Sequence, residues 1–293
     1  MNSGKEVKIA YFGGEPLGVP VLVELCKAGI VPSLILCNPD RPVGRKRELT
    51  APPVKKWAEE HDMEVWQPES FTDKEVVIEK LKDFDLFVVV AYNKILPKWL
   101  VELPKYGTIN VHPSLLPLLR GASPIRTSIL QDMHQQCGVT IMQMDEKMDH
   151  GPILAQETLS IPEEAWPMCG TELDDKLSKL GGELLAKTIP QWIAGDITPQ
   201  EQCHEKATYC GRLDRSMGEL VIDPQNLPSG DEAYQTLLKI RAFDGFPGTF
   251  FIHEEKRIKV LDAHIDQDAL QITRVIPEGK KEMDFETYVQ TLS

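Results

Sequence analysis

The segment that decides the fold is Leu-Phe-Val-Val-Val-Ala at residues 86–91, which is apolar at every position and therefore on both faces of an extended strand. A strand buried on both faces is typical of the centre of a parallel sheet, where helices cover each side. Four further short apolar runs have the length of buried strands, at residues 7–12, 33–37, 108–112 and 139–144. The chain thus supplies the strands of one sheet within its first half.

Segments with helical spacing lie between these strands. Residues 19–28 carry apolar side chains at helical intervals and end at Gly29, and residues 53–61 begin with a proline, which suits the first turn of a helix. A longer apolar helical face begins at Thr171 and ends before Gly195. This alternation predicts an α/β fold with a Rossmann-like, mostly parallel sheet and helices on both faces.

The chain changes character after Gly195. The next stretch is polar and without periodicity, and a shorter region that favours β-structure follows it. In that region we expect one helix and three strands, at residues 233–242, 249–252, 258–261 and 270–275. The predicted organisation is a larger α/β domain, a linker and a smaller β-rich, OB-like domain, at residues 1–195, 196–207 and 208–293.

Composition excludes several classes of protein. The 293 residues are 42% hydrophobic and 26% charged, as in a globular protein, and 45 acidic residues against 32 basic ones give a net charge of −13. That charge argues against non-specific binding of polyanions by the whole surface, although a local basic patch is compatible with it. No apolar run approaches the ~20 residues of a membrane span. Six scattered cysteines without a Cys-x-x-Cys pair, and no secretory signal, predict a cytoplasmic protein with reduced thiols.

The triplet Asn110-Val111-His112 carries the first candidate chemistry. Residues i and i+2 of a strand face the same side, so Asn110 and His112 project together, and Pro113 ends the strand there. Ligands of parallel sheets bind at the carboxyl ends of the strands. An amide and an imidazole at such an end can hydrogen-bond one developing oxyanion. Alone, such a triplet equally suits a histidine that satisfies buried backbone groups.

Other local patterns are weaker. The loop Gly13-Gly14-Glu15 has a glutamate where a dinucleotide fingerprint needs its second glycine. No nucleophile elbow holds Ser114, so a serine triad is not predicted. Cys203, His204 and Cys210 lack the spacing of a zinc finger, and no metal is expected.

The residues around the triplet form an ordered set over about 40 positions. They are Asn110-Val111-His112, Ser114-Leu115-Leu116-Pro117, Arg120-Gly121-Ala122-Ser123-Pro124, Gly138-Val139-Thr140 and Met148-Asp149-His150-Gly151. This set resembles the folate-dependent formyltransferases. The resemblance implies that Asn110, His112 and Asp149 are the catalytic residues. His150 stands where the family more often has a small residue.

Further runs resemble, in particular, the family members whose acceptor is methionyl-tRNA. They include Asn38-Pro39-Asp40-Arg41-Pro42, Val89 to Pro97, Ile240-Arg241-Ala242-Phe243 and Pro277-Glu278-Gly279-Lys280-Lys281. The resemblance implies metal-independent, non-covalent transfer of the formyl group of 10-formyltetrahydrofolate to the α-amine of initiator methionyl-tRNA, for translation initiation. In that reaction Asn110 and His112 would stabilise the tetrahedral oxyanion, and Asp149 would relay a proton through water.

The resemblance also implies two sets of binding residues. The folate would contact Ser114, Leu115, Leu116, Pro117, Val90, Ala91, Tyr92 and Ile95. The tRNA, bound to a tRNA-binding-like second domain and a basic loop, would contact Arg41, Arg45, Lys46, Arg47, Lys280 and Lys281, with Arg45 the first choice for a direct contact. The alternative interpretation of the basic loop is a solvated surface loop that binds no ligand. From residue 208 onward, 10 basic residues face 15 acidic ones, so tRNA contacts there must come from a local cluster.

Three alternatives stay open from the sequence. The same donor chemistry could serve an amino-sugar nucleotide or water as acceptor, and a non-catalytic folate- or RNA-binding protein would use the same fold. The basic loop favours tRNA, and the complete set Asn110, His112 and Asp149 favours catalysis. A monomer without membrane contact is expected.

Overall fold

The computed structural model describes residues 7–44 and 47–292. Contacts divide this part of the chain into two units, each described here by itself. The first unit contains residues 7–120, 138–159 and 175–208, and the second contains residues 121–137, 160–174 and 209–292. Segments of the two units alternate along the chain, and the domain boundaries drawn from the sequence stay a prediction.

The strands of the described residues are short, apart from two in the second unit. In chain order they are β1 (Ile9–Gly13), β2 (Leu34–Leu36), β3 (Arg41–Val43), β4 (Glu48–Thr50), β5 (Val65–Trp66), β6 (Leu86–Val90), β7 (Thr108–His112), β8 (Arg120–Gly121), β9 (Gly138–Gln143), β10 (Ile153–Thr158), β11 (Tyr209–Cys210), β12 (Thr249–His253), β13 (Lys256–Asp266), β14 (Ala269–Pro277) and β15 (Met283–Asp284).

The helices vary more in length. They are α1 (Gly18–Lys27), α2 (Pro53–Glu60), α3 (Lys74–Leu81), α4 (Lys98–Val101), α5 (Pro124–Leu130), α6 (Gly170–Ala194), α7 (Gly230–Ala242) and α8 (Phe285–Gln290). Short 3₁₀ turns occur at His134–Gln136, Glu163–Ala165, His204–Lys206 and Arg215–Gly218. None of the helices in the described ranges is long and apolar enough to cross a membrane.

The first unit is built on a seven-stranded sheet in the order β10-β9-β7-β6-β1-β2-β5. Strands β5, β2, β1, β6 and β7 are parallel neighbours, which confirms the predicted mostly parallel sheet. Strand β9 runs antiparallel to both β7 and β10. Apolar periodicity carries no information about strand direction, so the sequence did not reveal this reversal.

Helices lie against both faces of this sheet. On one face, α3 and α4 contribute to an apolar cluster with residues of β1, β2 and β6, among them Phe12 and Val89. On the other face, α6 comes so close to the sheet that a Cβ added at Gly181 would lie 2.7 Å from Val111 Cγ1. A Cβ added at the neighbouring Gly182 of α6 would likewise come too close to Glu24 and Val21 of α1. Small residues in α6 thus allow two close approaches.

The second unit contains an antiparallel sheet in the order β12-β13-β14-β15, which confirms the predicted smaller β-rich part. Its core joins the sheet to α7 and α8 and includes Phe251, Leu270, Val275, Phe285 and Tyr288. The expected helix is α7, and the three expected strands are β12, β13 and β14. The last two extend several residues beyond their predicted ends because they form one long hairpin.

The approach of α6 to β7 predicts a stability effect. Gly181→Val should place two methyl groups against Val111 and destabilise the fold by about 1–3 kcal/mol, as overpacking does. For a chain of this size that corresponds to a drop of roughly 2–10 °C in melting temperature. Gly211→Val is the matched control, because a Cβ at Gly211 meets nothing within 4 Å. Equal melting temperatures for the two variants, measured by circular dichroism, would contradict this packing.

Candidate active site

The candidate site begins at the carboxyl end of β7. Asn110 pairs laterally with Val89 of β6 and with Met142 of β9, so it shares a sheet face with Val89. Val111 projects to the opposite face, which α6 covers at Gly181. The side chains of Asn110 and His112 therefore point away from α6, toward the face that carries α3 and α4. This arrangement matches the alternation expected from the sequence.

His112 is buried and held by its ring. Its Nε2 lies 3.0 Å from Leu119 O, and because a carbonyl oxygen only accepts, Nε2 is the donor in this bond. The other ring nitrogen, Nδ1, lies 3.7 Å from Asp149 Oδ1. Both side chains are largely shielded from solvent, with exposed fractions of 5% for His112 and 15% for Asp149. The sequence-predicted pair is thus brought together within one unit.

Asp149 lies in the loop that joins β9 to β10. Its backbone has a φ of +51°, in the left-handed region that non-glycine residues seldom adopt. Two residues later, a Cβ added at Gly151 would overlap Gln143 O, so only glycine fits there. Gln143 N also donates to Pro152 O at 2.9 Å, which closes the loop at its base. The loop is therefore a tight turn that fixes where the Asp149 carboxylate points.

Asn110, the third predicted catalytic residue, is half-buried. Within the described ranges its side-chain amide has no hydrogen-bond partner, whereas the ring of His112 is bonded. An amide at a strand end with unused donors can bind a ligand oxygen. Asn110 thus presents an amide N–H group on the side of β7 to which the His112 ring also projects.

The loop after His112 is held by one threonine. Thr140 Oγ1 donates to Ser114 O at 2.6 Å and accepts from Leu116 N at 3.0 Å. Gln156 Nε2 donates to the same hydroxyl and to Leu116 O, both at 2.8 Å. Ser114 Oγ donates to Leu118 O. These bonds tie the segment between β7 and the Leu119 carbonyl to β9 and β10.

The residues predicted to bind folate differ widely in exposure. Ser114, Leu116 and Val90 are buried, whereas Ile95 is 94% exposed. Leu115 packs under Gly138, where an added Cβ would clash with it. Leu115 and Pro117 are half-buried, so this segment offers side-chain surface to a ligand only at those two positions. Their role in folate binding stays a prediction.

Tyr92 is the most informative of the predicted folate residues. Its ring packs edge-on against Phe12 at 5.6 Å, on the same sheet face as Asn110. Its hydroxyl is buried and has no hydrogen-bond partner among the described residues. Burial raises the pKa of this hydroxyl above its usual range, so it stays a neutral O–H donor. A buried polar group of this kind suits a ligand with a polar edge.

The residues predicted to bind tRNA lie in both units. Arg41 lies in β3 and Arg47 follows the turn of the β3–β4 hairpin, and both are exposed. Arg45 and Lys46 fall outside the described residues. Lys280 and Lys281 are exposed in the turn after β14, in the second unit. The sequence suggested only a loop at residues 41–47, because strands of three residues are too short to show a periodic pattern.

The β3–β4 hairpin is anchored at its base. Gln67 Nε2 donates to Asn38 O at 2.7 Å and to Asp40 Oδ1 at 2.8 Å, and Lys55 Nζ binds Asp40 at 3.0 Å. The Gln67 hydrogen bond, followed by the Lys55 contacts, lowers the pKa of Asp40. The hairpin thus projects from a fixed base.

Sequence reasoning missed four polar residues that hold the site. Thr140 and Gln156 support the loop after β7, and Arg120 and Gln202 form a buried pair beside it. Arg120 lies in one of the runs that resemble the family, and a charged residue directly after two leucines is a signal that could have indicated a buried functional group. Gln202 lies 82 residues away in a polar stretch, and no local pattern distinguishes it. Among the described residues, no cluster of three or more His, Cys, Asp or Glu could hold a metal ion.

The chain is similar to known proteins over most of its length. Residues 7–189 match the family profile described as formyl transferase. The chain is 40% identical over 300 residues to a methionyl-tRNA formyltransferase of Geobacillus sp., covering 95% of this chain and 92% of that protein. It is also 40% identical to the methionyl-tRNA formyltransferase of Bacillus subtilis, covering 97% of this chain and 94% of that protein.

A solved structure shares the fold at lower identity. The N-formyltransferase from Helicobacter canadensis, in complex with folinic acid and dTDP-3-aminofucose, superposes with a TM-score of 0.61 and 19% identity. The match covers 91% of this chain and 95% of that one. At this identity the comparison supports the fold alone.

The support that Thr140 gives to the loop predicts a stability effect. Thr140→Val removes the hydroxyl and leaves Leu116 N and Ser114 O without that partner, at a cost of about 1–3 kcal/mol for each buried group. Thr188→Val is the control, since the similarly buried Thr188 hydroxyl donates to Leu184 O within its own helix and has no other partner among the described residues. Urea denaturation should give a lower midpoint for Thr140→Val. Similar midpoints would show that the hydroxyl does not hold the loop.

Proposed function

Because the chain belongs to the formyl transferase family, and within it to the methionyl-tRNA formyltransferases, we propose that it transfers the formyl group of 10-formyltetrahydrofolate to the α-amine of initiator methionyl-tRNA. The observation that carries this function is the approach of His112 to Asp149 at the end of β7, on the strand face that Asn110 shares, in a chain similar to those enzymes over nearly its whole length. The reaction class is acyl transfer.

Asn110 and His112 are suited to the charge that develops. Attack of the amine on the formyl carbon gives a tetrahedral intermediate with a negative oxygen, and both side chains face the same side of β7. A preorganised donor for such an oxygen contributes about 3–4 kcal/mol to transition-state stabilisation. Asn110 supplies an amide N–H that no described residue uses. His112 can donate to this oxygen only from Nδ1, after that nitrogen has taken up a proton, because the Nε2 hydrogen is bound to Leu119 O.

Asp149 is suited to handle the protons. With Nε2 of His112 donating to Leu119 O, a neutral ring presents a lone pair at Nδ1 toward the Asp149 carboxylate. The attacking amine must lose a proton and N10 of the folate must gain one. The His112–Asp149 pair can accept the first and return the second through water.

The folate donor fits the face that holds Asn110. Tyr92 offers a neutral hydroxyl without a partner among the described residues, and exposed Ile95 offers an apolar surface in the same loop. A reduced pterin has both a polar edge and flat apolar faces. The backbone of Ser114 to Pro117, held by Thr140, would border it on the other side. No metal takes part in this proposed reaction.

The acceptor tRNA would contact the β3–β4 hairpin and the turn at Lys280. Arg41 and Arg47 are exposed on the hairpin, and Arg45 and Lys46 extend the same basic run in the sequence. Arginine and lysine neutralise phosphates, and this neutralisation dominates the affinity of proteins for nucleic acids. In an otherwise acidic protein, such contacts must come from local basic clusters of this kind. The location expected for a protein that uses charged tRNA and folate is the cytoplasm, and the expected state is a monomer.

Formylation assays test this function directly. The protein is incubated with 10-formyltetrahydrofolate and either initiator methionyl-tRNA or an amino-sugar nucleotide, and the formylated product is identified by mass spectrometry. Product from methionyl-tRNA alone is the expected result. Formylated product from the sugar nucleotide alone would show that the acceptor is an amino sugar and not methionyl-tRNA. No product from either acceptor would contradict the enzymatic function.

The proton-relay role predicts the effect of removing one charge. Asp149→Asn should lower kcat by about 10²–10⁴-fold, because the amide cannot take up the proton of the amine. Glu146→Gln is the matched control, since Glu146 is an exposed carboxylate in the same loop. Both variants should melt like the wild-type protein. A kcat near the wild-type value for Asp149→Asn would exclude the relay.

The hairpin predicts a separate effect on the acceptor. Arg45→Ala and Arg47→Ala should each raise the KM for tRNA, reduce the slope of log affinity against log salt by about 1, and leave the KM for folate unchanged. Arg215→Ala, which removes an exposed arginine of the second unit, is the control. If tRNA affinity and its salt dependence are unaltered in both hairpin variants, the basic run does not bind tRNA.

A further inference from the structure

Arg120 is the largest fully buried side chain in the described residues, with 2% exposure. Its Nε and Nη2 atoms donate to Gln202 Oε1 at 3.1 and 2.6 Å. A buried guanidinium costs free energy that an apolar pair of similar volume would avoid. We therefore ask which atoms of the candidate site the buried Arg120 guanidinium holds in position.

Gln202 also bonds the backbone of the loop that carries Asp149. Its Nε2 donates to Asp149 O at 3.0 Å and to Gly151 O at 2.7 Å. A guanidinium only donates and a carbonyl only accepts, so just one orientation of the Gln202 amide satisfies all four bonds. The two carbonyls that flank His150 are therefore held by one buried side chain.

The same chain of contacts reaches His112 from the other side. Leu119 O, which binds His112 Nε2, belongs to the residue immediately before Arg120. The contacts thus form a circuit from His112 through Leu119, Arg120, Gln202 and Asp149 back to His112. All five residues belong to the first unit. A shift anywhere in the circuit changes the distance between His112 Nδ1 and the Asp149 carboxylate.

Two further histidines brace the circuit from outside. His204 Nδ1 lies 2.9 Å from Arg120 Nη2, and since arginine only donates, this nitrogen is the acceptor. The His204 ring stacks on His150 at 4.1 Å with a 7° interplanar angle. His150 Nδ1 in turn lies 2.6 Å from Asp145 Oδ2. The loop that carries Asp149 is therefore held by its backbone and by the side chain of its next residue.

We propose that Arg120, Gln202 and His204 are positioning residues that hold the Asp149 carboxylate against His112 for the transfer step. This inference rests on the function proposed above. None of the three is required to touch a substrate, so their effect should appear in kcat and not in KM. Misplacing a reacting group by about 1 Å can cost about 10²-fold in rate.

Gln202→Glu separates this role from simple support of Arg120. Glutamate has the same length and accepts the Arg120 bonds, but its oxygens face Asp149 O and Gly151 O without a hydrogen to donate. We expect kcat for formylation to fall at least 10-fold while both KM values change less than 3-fold. Gln200→Glu, the same substitution at an exposed position two residues earlier, should match the wild type. Wild-type kcat in Gln202→Glu would overturn the proposal.

A double-mutant cycle tests whether the effect passes through Asp149. In the Asp149→Asn background, Gln202→Glu should lower kcat further by less than 2-fold, because the group that it positions no longer acts. A full additional 10-fold loss would show that Gln202 supports the fold in general, and would overturn the proposal.

His204→Ala covers the case in which Gln202→Glu does not fold. His204 is exposed, so its removal leaves the core intact, and kcat should fall about 3–10-fold at constant KM. An unchanged kcat in that variant would overturn the proposal. Failure of the proposed function is seen separately, in the wild-type protein, as absence of formylated methionyl-tRNA.

Discussion

The hydrogen bond between His112 Nε2 and Leu119 O determines what the rest of the site can do. It commits one ring nitrogen to a carbonyl and leaves Nδ1 to face Asp149. Without that bond the ring could rotate, and neither the oxyanion nor the proton would meet a fixed partner. The bond requires the short loop after β7 to return its backbone to the end of its own strand, and Thr140, Gln156 and Ser114 hold the loop in that path.

This requirement explains why the site is surrounded by buried polar groups and not by a continuous apolar core. Each hydrogen bond to a loop carbonyl contributes little net stability, but each one lost leaves a buried group unpaired. Thr140 and Gln202 each bond two backbone groups of one loop, so they define positions more than they add stability. The hydrogen bonds that fix the backbone of the candidate site are also the ones whose loss would leave buried groups unpaired.

The sequence predicted the parts of this design that local pattern encodes. The bounds of β7 and the shared face of Asn110 and His112 follow from a period of two and a proline at the strand end. The direction of β9 and the β3–β4 hairpin did not follow, because the first has no local signature and the second has little apolar content. The pairing of Arg120 with Gln202 joins residues 82 positions apart, so only three-dimensional structure reveals it.

In the proposed reaction, the residues at the end of β7 would act on the formyl carbon and would contact no part of the acceptor beyond its amine. In that reaction, Asn110, His112 and Asp149 would serve the amine of an amino sugar as well as that of an aminoacyl-tRNA. Acceptor choice must therefore come from residues outside this cluster. The 40% identity to methionyl-tRNA formyltransferases covers more than 90% of each relative, well past the end of the match to the family profile at residue 189. The similarity to these relatives thus extends into the second unit, most of which lies beyond that residue.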